Sequence, residues 1–256
     1  MHNSGPILSI QNVTKRFRNN AGDWFHAVND VSLSVAQGEI VALVGESGSG
    51  KSTLGRIALG LIRPDSGSVC LDGRDLAGLS PAELRAARRR MQPVFQDPTA
   101  SLNPRKTIRA LLAQASHPDA IELEAYAIGL LESVGLTPGS EYLARFPHEL
   151  SGGQRQRVAV ARALAMQPAL ILADEALSGA DVSIRGQILN LLLDIRQKRN
   201  VAYLMITHDI SVARAFADRV AVMMRGRIVE HGPAGEVLTN PTHDYTRSLL
   251  AAVPEL

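Results

Sequence analysis

The stretch Gly45-Glu46-Ser47-Gly48-Ser49-Gly50-Lys51-Ser52 follows five apolar residues, Ile40-Val41-Ala42-Leu43-Val44, and the two together decide the fold. A short continuous apolar run bounded by glycine reads as a buried strand. The glycines after it permit a tight loop whose backbone N–H groups turn inward. A helix starting near Lys51 adds the partial positive charge of its N-terminus, so the loop becomes a cradle for phosphate. The spacing G-x-x-x-x-G-K-[ST] assigns Lys51 to the β- and γ-phosphates and the Ser52 hydroxyl to Mg2+, with Gly45, Ser47, Gly48, Ser49, Gly50 and Thr53 completing the cradle. Taken alone, this loop specifies a nucleotide phosphate and fits GTPases, kinases and motors equally well.

Working outward, residues 7–13 and 28–35 carry β-type patterns ahead of the loop, and the helix after it is expected to end near Arg63-Pro64. Ser80-Pro81-Ala82-Glu83 spells a capping box with proline at the first helical position. A second helix is expected there, with Arg88-Arg89-Arg90 on a solvated face. From Pro98 to about Gln167 the pattern is helical and loop-like, with helices around 107–115, 119–134 and 152–166. Strand signals return at 169–173 and 201–207, then as a hairpin over 220–224 and 227–230 that turns at Arg225-Gly226. Helices between the strands imply a parallel α/β core with right-handed crossovers. The expected unit is a single domain over 7–250. Its core and β part lie at about 7–97 and 167–232, a helical insertion at about 98–166, and a C-terminal tail at 233–256.

The composition, 45% hydrophobic and 20% charged over 256 residues, is that of a globular chain, and its net charge of +2 gives no bulk electrostatic support for a nucleic-acid partner. A single cysteine, Cys70, leaves no disulfide framework or multi-thiolate cluster within the chain and fits a reducing compartment. The first residues lack the charged, apolar and small-residue regions of a secretory signal. No stretch reaches the roughly 18 apolar residues of a membrane-spanning helix, so any work at a membrane is expected to be done on its surface.

The apolar run Leu170-Ile171-Leu172-Ala173 ends in Asp174-Glu175, at the strand edge where α/β sheets bind ligands. Asp174 suits the magnesium shell, and Glu175 suits a water to be oriented or deprotonated. Acidic residues at a strand end also serve as plain turn formers. Leu150-Ser151-Gly152-Gly153-Gln154 opens a helix, and Ser151 with Gln154 forms a second capping box. A cap does not call for two glycines, each of which weakens a helix by roughly 1 kcal/mol. Bare backbone beside a helix N-terminus makes a second phosphate-contacting surface.

With these residues the chain resembles the ATPases of ABC transporters, in which LSGGQ is the signature. The resemblance implies a P-loop NTPase (RecA-like) core with an N-terminal antiparallel β subdomain and an inserted α-helical signature subdomain. It further implies roles for Gln96 in Phe95-Gln96-Asp97 (Q-loop, touching magnesium and the attacking water), for Ser178-Gly179-Ala180-Asp181 (D-loop, with Asp181 at the nucleotide) and for His208 in Thr207-His208-Asp209 (switch histidine). Phe17 falls where the family stacks an aromatic on adenine, although Trp24 and Phe25 lie nearby in what reads as an insertion.

The family's working form is a dimer. ATP and Mg2+ lie between the phosphate loop of one subunit and Ser151, Gly152, Gly153 and Gln154 of the other. Catalytic roles fall on Glu175, His208, Gln96 and Lys51, and metal contacts on Ser52, Gln96 and Asp174. The implied partners are a second ATPase subunit (itself or a paralogue), two multi-span membrane permeases and, indirectly, an extracytoplasmic solute-binding protein. The implied location is the cytoplasmic side of the inner membrane.

Within the family the chain looks closest to oligopeptide, dipeptide and nickel importers. Three stretches carry this: Val94-Phe95-Gln96-Asp97-Pro98 with Ser101-Leu102-Asn103-Pro104-Arg105; Phe146-Pro147-His148-Glu149; and Asn240-Pro241-Thr242-His243-Asp244-Tyr245-Thr246-Arg247. It departs from the usual pattern at Ala176-Leu177 and Gly179-Ala180. Two alternatives stay open from sequence: a subunit of a phosphonate-degrading complex, and a mechanical ATPase of the DNA-repair type.

Overall fold

The computed structural model describes residues 5–19, 21–95, 97, 101–116, 123–174 and 182–252. Its strands are β1 (Leu8–Arg18), β2 (Trp24–Val35), β3 (Ile40–Val44), β4 (Ser66–Leu71), β5 (Arg74–Asp75), β6 (Met91–Phe95), β7 (Leu170–Asp174), β8 (Ala202–Thr207), β9 (Arg219–Met224) and β10 (Arg227–Pro233). Its α-helices are α1 (Lys51–Ala58), α2 (Pro81–Arg90), α3 (Ile108–Ala115), α4 (Leu123–Ser133), α5 (Gly152–Leu164), α6 (Val182–Arg199), α7 (Ile210–Phe216), α8 (Ala234–Val237) and α9 (Asp244–Ala251). Among the described residues no helix is long and apolar enough to cross a membrane.

Two sheets organise the chain. One has the order β2-β1-β4-β5 and is antiparallel; the other has the order β10-β9-β3-β8-β7-β6 and is parallel except for the β9–β10 hairpin. β3 is buried at all five positions, as expected for a strand with a parallel neighbour on each side and both faces covered. Period-two alternation then sends side chains to different cores. Leu170 and Leu172 face a cluster shared with α1 and the antiparallel sheet, while Ile171 and Ala173 face the cluster built with α3, α4, α5 and α6. Ala42 and Val44 join Ile210, Ala213 and Val237 in a third cluster, against which Tyr245, Leu249 and Leu250 of α9 pack. Among the described residues after 232, α8 and α9 both pack against the main sheet through this cluster.

The expected elements differ from the observed ones in instructive places. α1 stops at Ala58, short of Arg63, in a left-handed turn at Gly60 (φ 63°). There the Leu61 N–H donates to the Arg56 carbonyl and the Gly60 N–H to that of Ile57, a helix-ending pair of bonds. Trp24 and Phe25 pair with Arg18 and Phe17 and lengthen the β1–β2 hairpin. The basic run on α2 is partly engaged rather than simply solvated, since Arg88 donates to the Gly60 carbonyl and Arg90 pairs with Asp72 at 2.7 Å. Both capping boxes form, Ser80 with Glu83 and Ser151 with Gln154.

Candidate functional site

Parallel register gathers the chemistry at one edge of the main sheet. Val44 pairs with Thr207, Phe95 with Asp174, and Asp174 with Ile206, so β3, β6, β7 and β8 end together. That is the edge where ligands bind in such sheets. Here a cleft of about 770 Å3 opens, lined among others by Phe17, Gly48, Lys51, Ser52 and Asp174.

The phosphate loop folds between β3 and α1 because two glycines allow it to. Gly45 (φ 147°) and Gly50 (φ 108°) hold left-handed backbone, and a Cβ on them would fall 2.2 Å from the Met223 carbonyl oxygen and 2.1 Å from that of Ala27. Lys51 is 5% exposed, and its Nζ donates to the carbonyls of Gly45 and Glu46, each at 2.7 Å. From outside, the Gly226 N–H donates to the Ser49 carbonyl at 2.9 Å, and the Glu46 N–H donates to the Tyr245 hydroxyl at 3.0 Å.

Beneath the loop, the Ser52 hydroxyl donates to Asp174 Oδ1 at 3.2 Å. A hydroxyl and a carboxylate converging at the floor of an anion cradle form an oxygen donor set suited to magnesium, which takes one or two protein ligands and fills its remaining positions with phosphate and water. At the cleft's other end Phe17 and Phe25 face each other across the hairpin with ring centroids 6.2 Å apart, and Lys15 Nζ lies 5.7 Å from the Phe17 ring.

The remaining expected residues divide. Ser151, Gly152, Gly153 and Gln154 cap α5 but are not among the residues lining the cleft. Gly152 is exposed, and a Cβ on it would meet nothing within 4 Å. His208 is exposed in the turn between β8 and α7, at the same sheet edge but outside the cleft lining. Gln96, Glu175 and Asp181 lie outside the described residues, as do the departures at Ala176-Leu177 and Gly179-Ala180.

The structure adds contributors that sequence reasoning passed over. Arg225 and Gly226, read only as a hairpin turn, reach the cleft wall through two successive left-handed residues. Gln156 on α5, 5% exposed, donates to the Phe95 carbonyl at 3.4 Å and so ties the signature helix to the residue before Gln96. Tyr245 lies far from the loop in sequence, and only its place in an unusual C-terminal motif marked it.

A doubly covered parallel sheet with a glycine-rich phosphate loop, and a hydroxyl–carboxylate pair below it, defines a P-loop nucleotide-binding protein. More particularly, the chain belongs to the ABC transporter family, whose profile matches residues 28–178. It is 49% identical over 259 residues to the glutathione import ATP-binding protein GsiA of Escherichia coli O6:H1, a match covering 97% of this chain and 41% of that protein. It is 47% identical over 262 residues to the probable peptide ABC transporter ATP-binding protein y4tS of Sinorhizobium fredii, covering 98% of this chain and 73% of that one. The chain thus spans about two fifths of the length of the glutathione-import relatives it matches.

Solved structures agree on the fold. CbiO1 of Clostridium perfringens, described as part of the ABC transporter complex cbiONQ, superposes with a TM-score of 0.80 at 26% identity, covering 98% of this chain and 96% of its own. The cassette MJ0796, in a dimeric post-hydrolysis state bound to ADP and Pi, superposes at 0.78 with 31% identity, covering 89% of this chain and 98% of its own.

Proposed function

We propose that this chain is the ATP-hydrolysing subunit of an ABC importer for short peptides or a related small solute, acting as a dimer on the cytoplasmic face of the membrane beneath two permease subunits. The carrying observation is that the glycine-rich loop lines the cleft while the helix N-terminus at Gly152 is not among the cleft's lining residues. The backbone at that N-terminus stands bare. Two copies, or this chain and a paralogue, each facing its loop to the other's signature, would bring these surfaces together around ATP. Relatives named for glutathione and for peptide import support the cargo class.

In this reading Phe17 stacks on adenine and Lys51 exchanges its loop carbonyls for the β- and γ-phosphates. Ser52 and Asp174, with Gln96, would hold magnesium, which would supply charge neutralisation at the phosphate oxygens. Glu175 orients or deprotonates the attacking water, and His208 and Asp181 complete the closed site. Donors from Ser151 and Gly153 of the opposite subunit stabilise the γ-phosphate only when ATP bridges the two, so cleavage releases the pair.

Glu175→Gln is expected to trap an ATP-bound dimer, seen as a nucleotide-dependent doubling of mass in light scattering. Unchanged turnover of that variant, assembled with its partners, would reject the assignment. Purification from the native membrane should recover multi-span membrane proteins; recovery with soluble enzymes or nucleic acid instead would favour a non-transport ATPase.

A further inference from the structure

The motif over residues 240–247 is not among the cleft's lining residues, yet it ends at the phosphate loop. Its seat is Glu230 on β10. Glu230 Oε1 accepts from the Thr242 N–H at 2.7 Å and the Thr242 hydroxyl at 2.9 Å, and Oε2 accepts from the His243 N–H at 3.1 Å. Arg247 Nη1 donates back to the carbonyls of Pro241 and Thr242 at 2.9 and 3.1 Å, closing the segment on itself. His243 Nδ1 then accepts the Tyr245 N–H at 3.1 Å and caps α9. The outcome is a half-buried Tyr245 ring against the third core cluster, its hydroxyl 3.0 Å from the Glu46 nitrogen.

Glu46 is therefore held from two directions. Its carbonyl accepts from Lys51 Nζ at 2.7 Å and from the Ser49 N–H at 3.2 Å, both within the loop. Its N–H is held from outside by Tyr245. Binding a triphosphate would draw the Lys51 ammonium toward phosphate and remove one internal brace, whereas the Tyr245 bond does not compete with the ligand. We propose that Tyr245 is a positioning residue for the nucleotide loop: it fixes the Glu46 peptide group so that the cradle keeps its shape when Lys51 turns to the phosphates, making ATP affinity depend on the docked C-terminal motif. This rests on the reading of the cleft as an ATP site.

The test uses the full chain and compares wild type, Tyr245→Phe, Glu230→Gln and Lys51→Ala. Tyr245→Phe keeps the ring and removes only the acceptor. Losing one such bond should raise the KM for ATP about threefold to tenfold, with kcat at saturating ATP retained. The Glu46 amide, followed by hydrogen exchange without nucleotide, should lose protection in the same variant. Glu230→Gln should shift KM in the same direction from a position remote from the cleft, and the double variant should add little to the larger single effect. Wild-type KM and wild-type Glu46 protection in Tyr245→Phe would overturn the proposal while Lys51→Ala still fails to bind ATP. ATP binding that survives Lys51→Ala would instead overturn the reading of the cleft itself.

Discussion

Ser52 and Asp174 stand 122 positions apart in the chain, and the Ser52 hydroxyl donates to the Asp174 carboxylate at 3.2 Å, joining the first turn of α1 to the end of β7. This hydroxyl and carboxylate are the pair that would hold a magnesium ion beneath the loop. Asp174→Asn preserves an oxygen that can accept this bond and removes only the charge. Magnesium-dependent ATP hydrolysis is expected to fall on the order of a hundredfold or more, because charge neutralisation is the larger part of metal assistance to phosphoryl transfer. Magnesium-free nucleotide binding should stay near wild type. Single-turnover hydrolysis, together with ATP titrations with and without magnesium, checks both.

Gly50 before α1 and Gly152 at the start of α5 should respond in opposite ways to the same substitution. Gly50→Ala forces a Cβ to within 2.1 Å of the Ala27 carbonyl oxygen on left-handed backbone, which costs at least about 1–3 kcal/mol and moves the loop. Its denaturation midpoint should fall and ATP binding should be lost. Gly152→Ala places its methyl in open space and improves the helix by up to about 1 kcal/mol, so the fold should be no less stable. ATP-dependent dimerisation should nevertheless weaken, because the obstruction would lie between subunits. Denaturant curves alongside light scattering separate the two outcomes.

Glu230 gives the C-terminal motif an acid sensitivity of definite sign. Burial raises its carboxyl, but interaction with the Thr246 hydroxyl and hydrogen bonds from the Thr242 and His243 N–H groups and the Thr242 hydroxyl outweigh this, pulling the pKa from 4.5 to about 2. A carboxylate with a depressed folded value contributes stability that is fully present above 4.5 and is lost as the pH falls toward about 2. Glu230→Gln should flatten the acid limb of stability across that window and leave the neutral plateau lower. Urea midpoints measured across the window test this; an unchanged acid limb would remove Glu230 as the anchor.

Much of this architecture was readable because local chemistry and tertiary context agreed. The run 40–44 is short, apolar and bounded by glycine, which suits a buried strand, and the structure buries it at every position; both capping boxes need only residues three apart. β4 and β6 escaped notice for physical reasons. Ser66-Gly67-Ser68 in β4 carries little apolar signal, and its pairing with β1 supplies what the sequence of the strand does not. β6 contains Gln92 and Pro93, a poor strand signal, and is tolerated because among the described residues it is the edge of the sheet, paired with β7. At the cleft, motif spacing singled out the loop and the end of an apolar run singled out Asp174, and both line it. Tyr245, Gln156 and Gly226 were not legible in this way, since each acts through contacts between distant parts of the chain.

The hairpin turn at Arg225-Gly226 has a bearing on how this chain tolerates editing. Gly226 donates to the Ser49 carbonyl and accepts the Asn29 N–H, so one residue rivets the main sheet to both the loop and the antiparallel sheet. Surface hairpins are usual places to splice in a tag or open a permuted chain. Here a single extra residue would carry Gly226 off both partners, and the fault would surface as lost nucleotide binding with a largely intact fold.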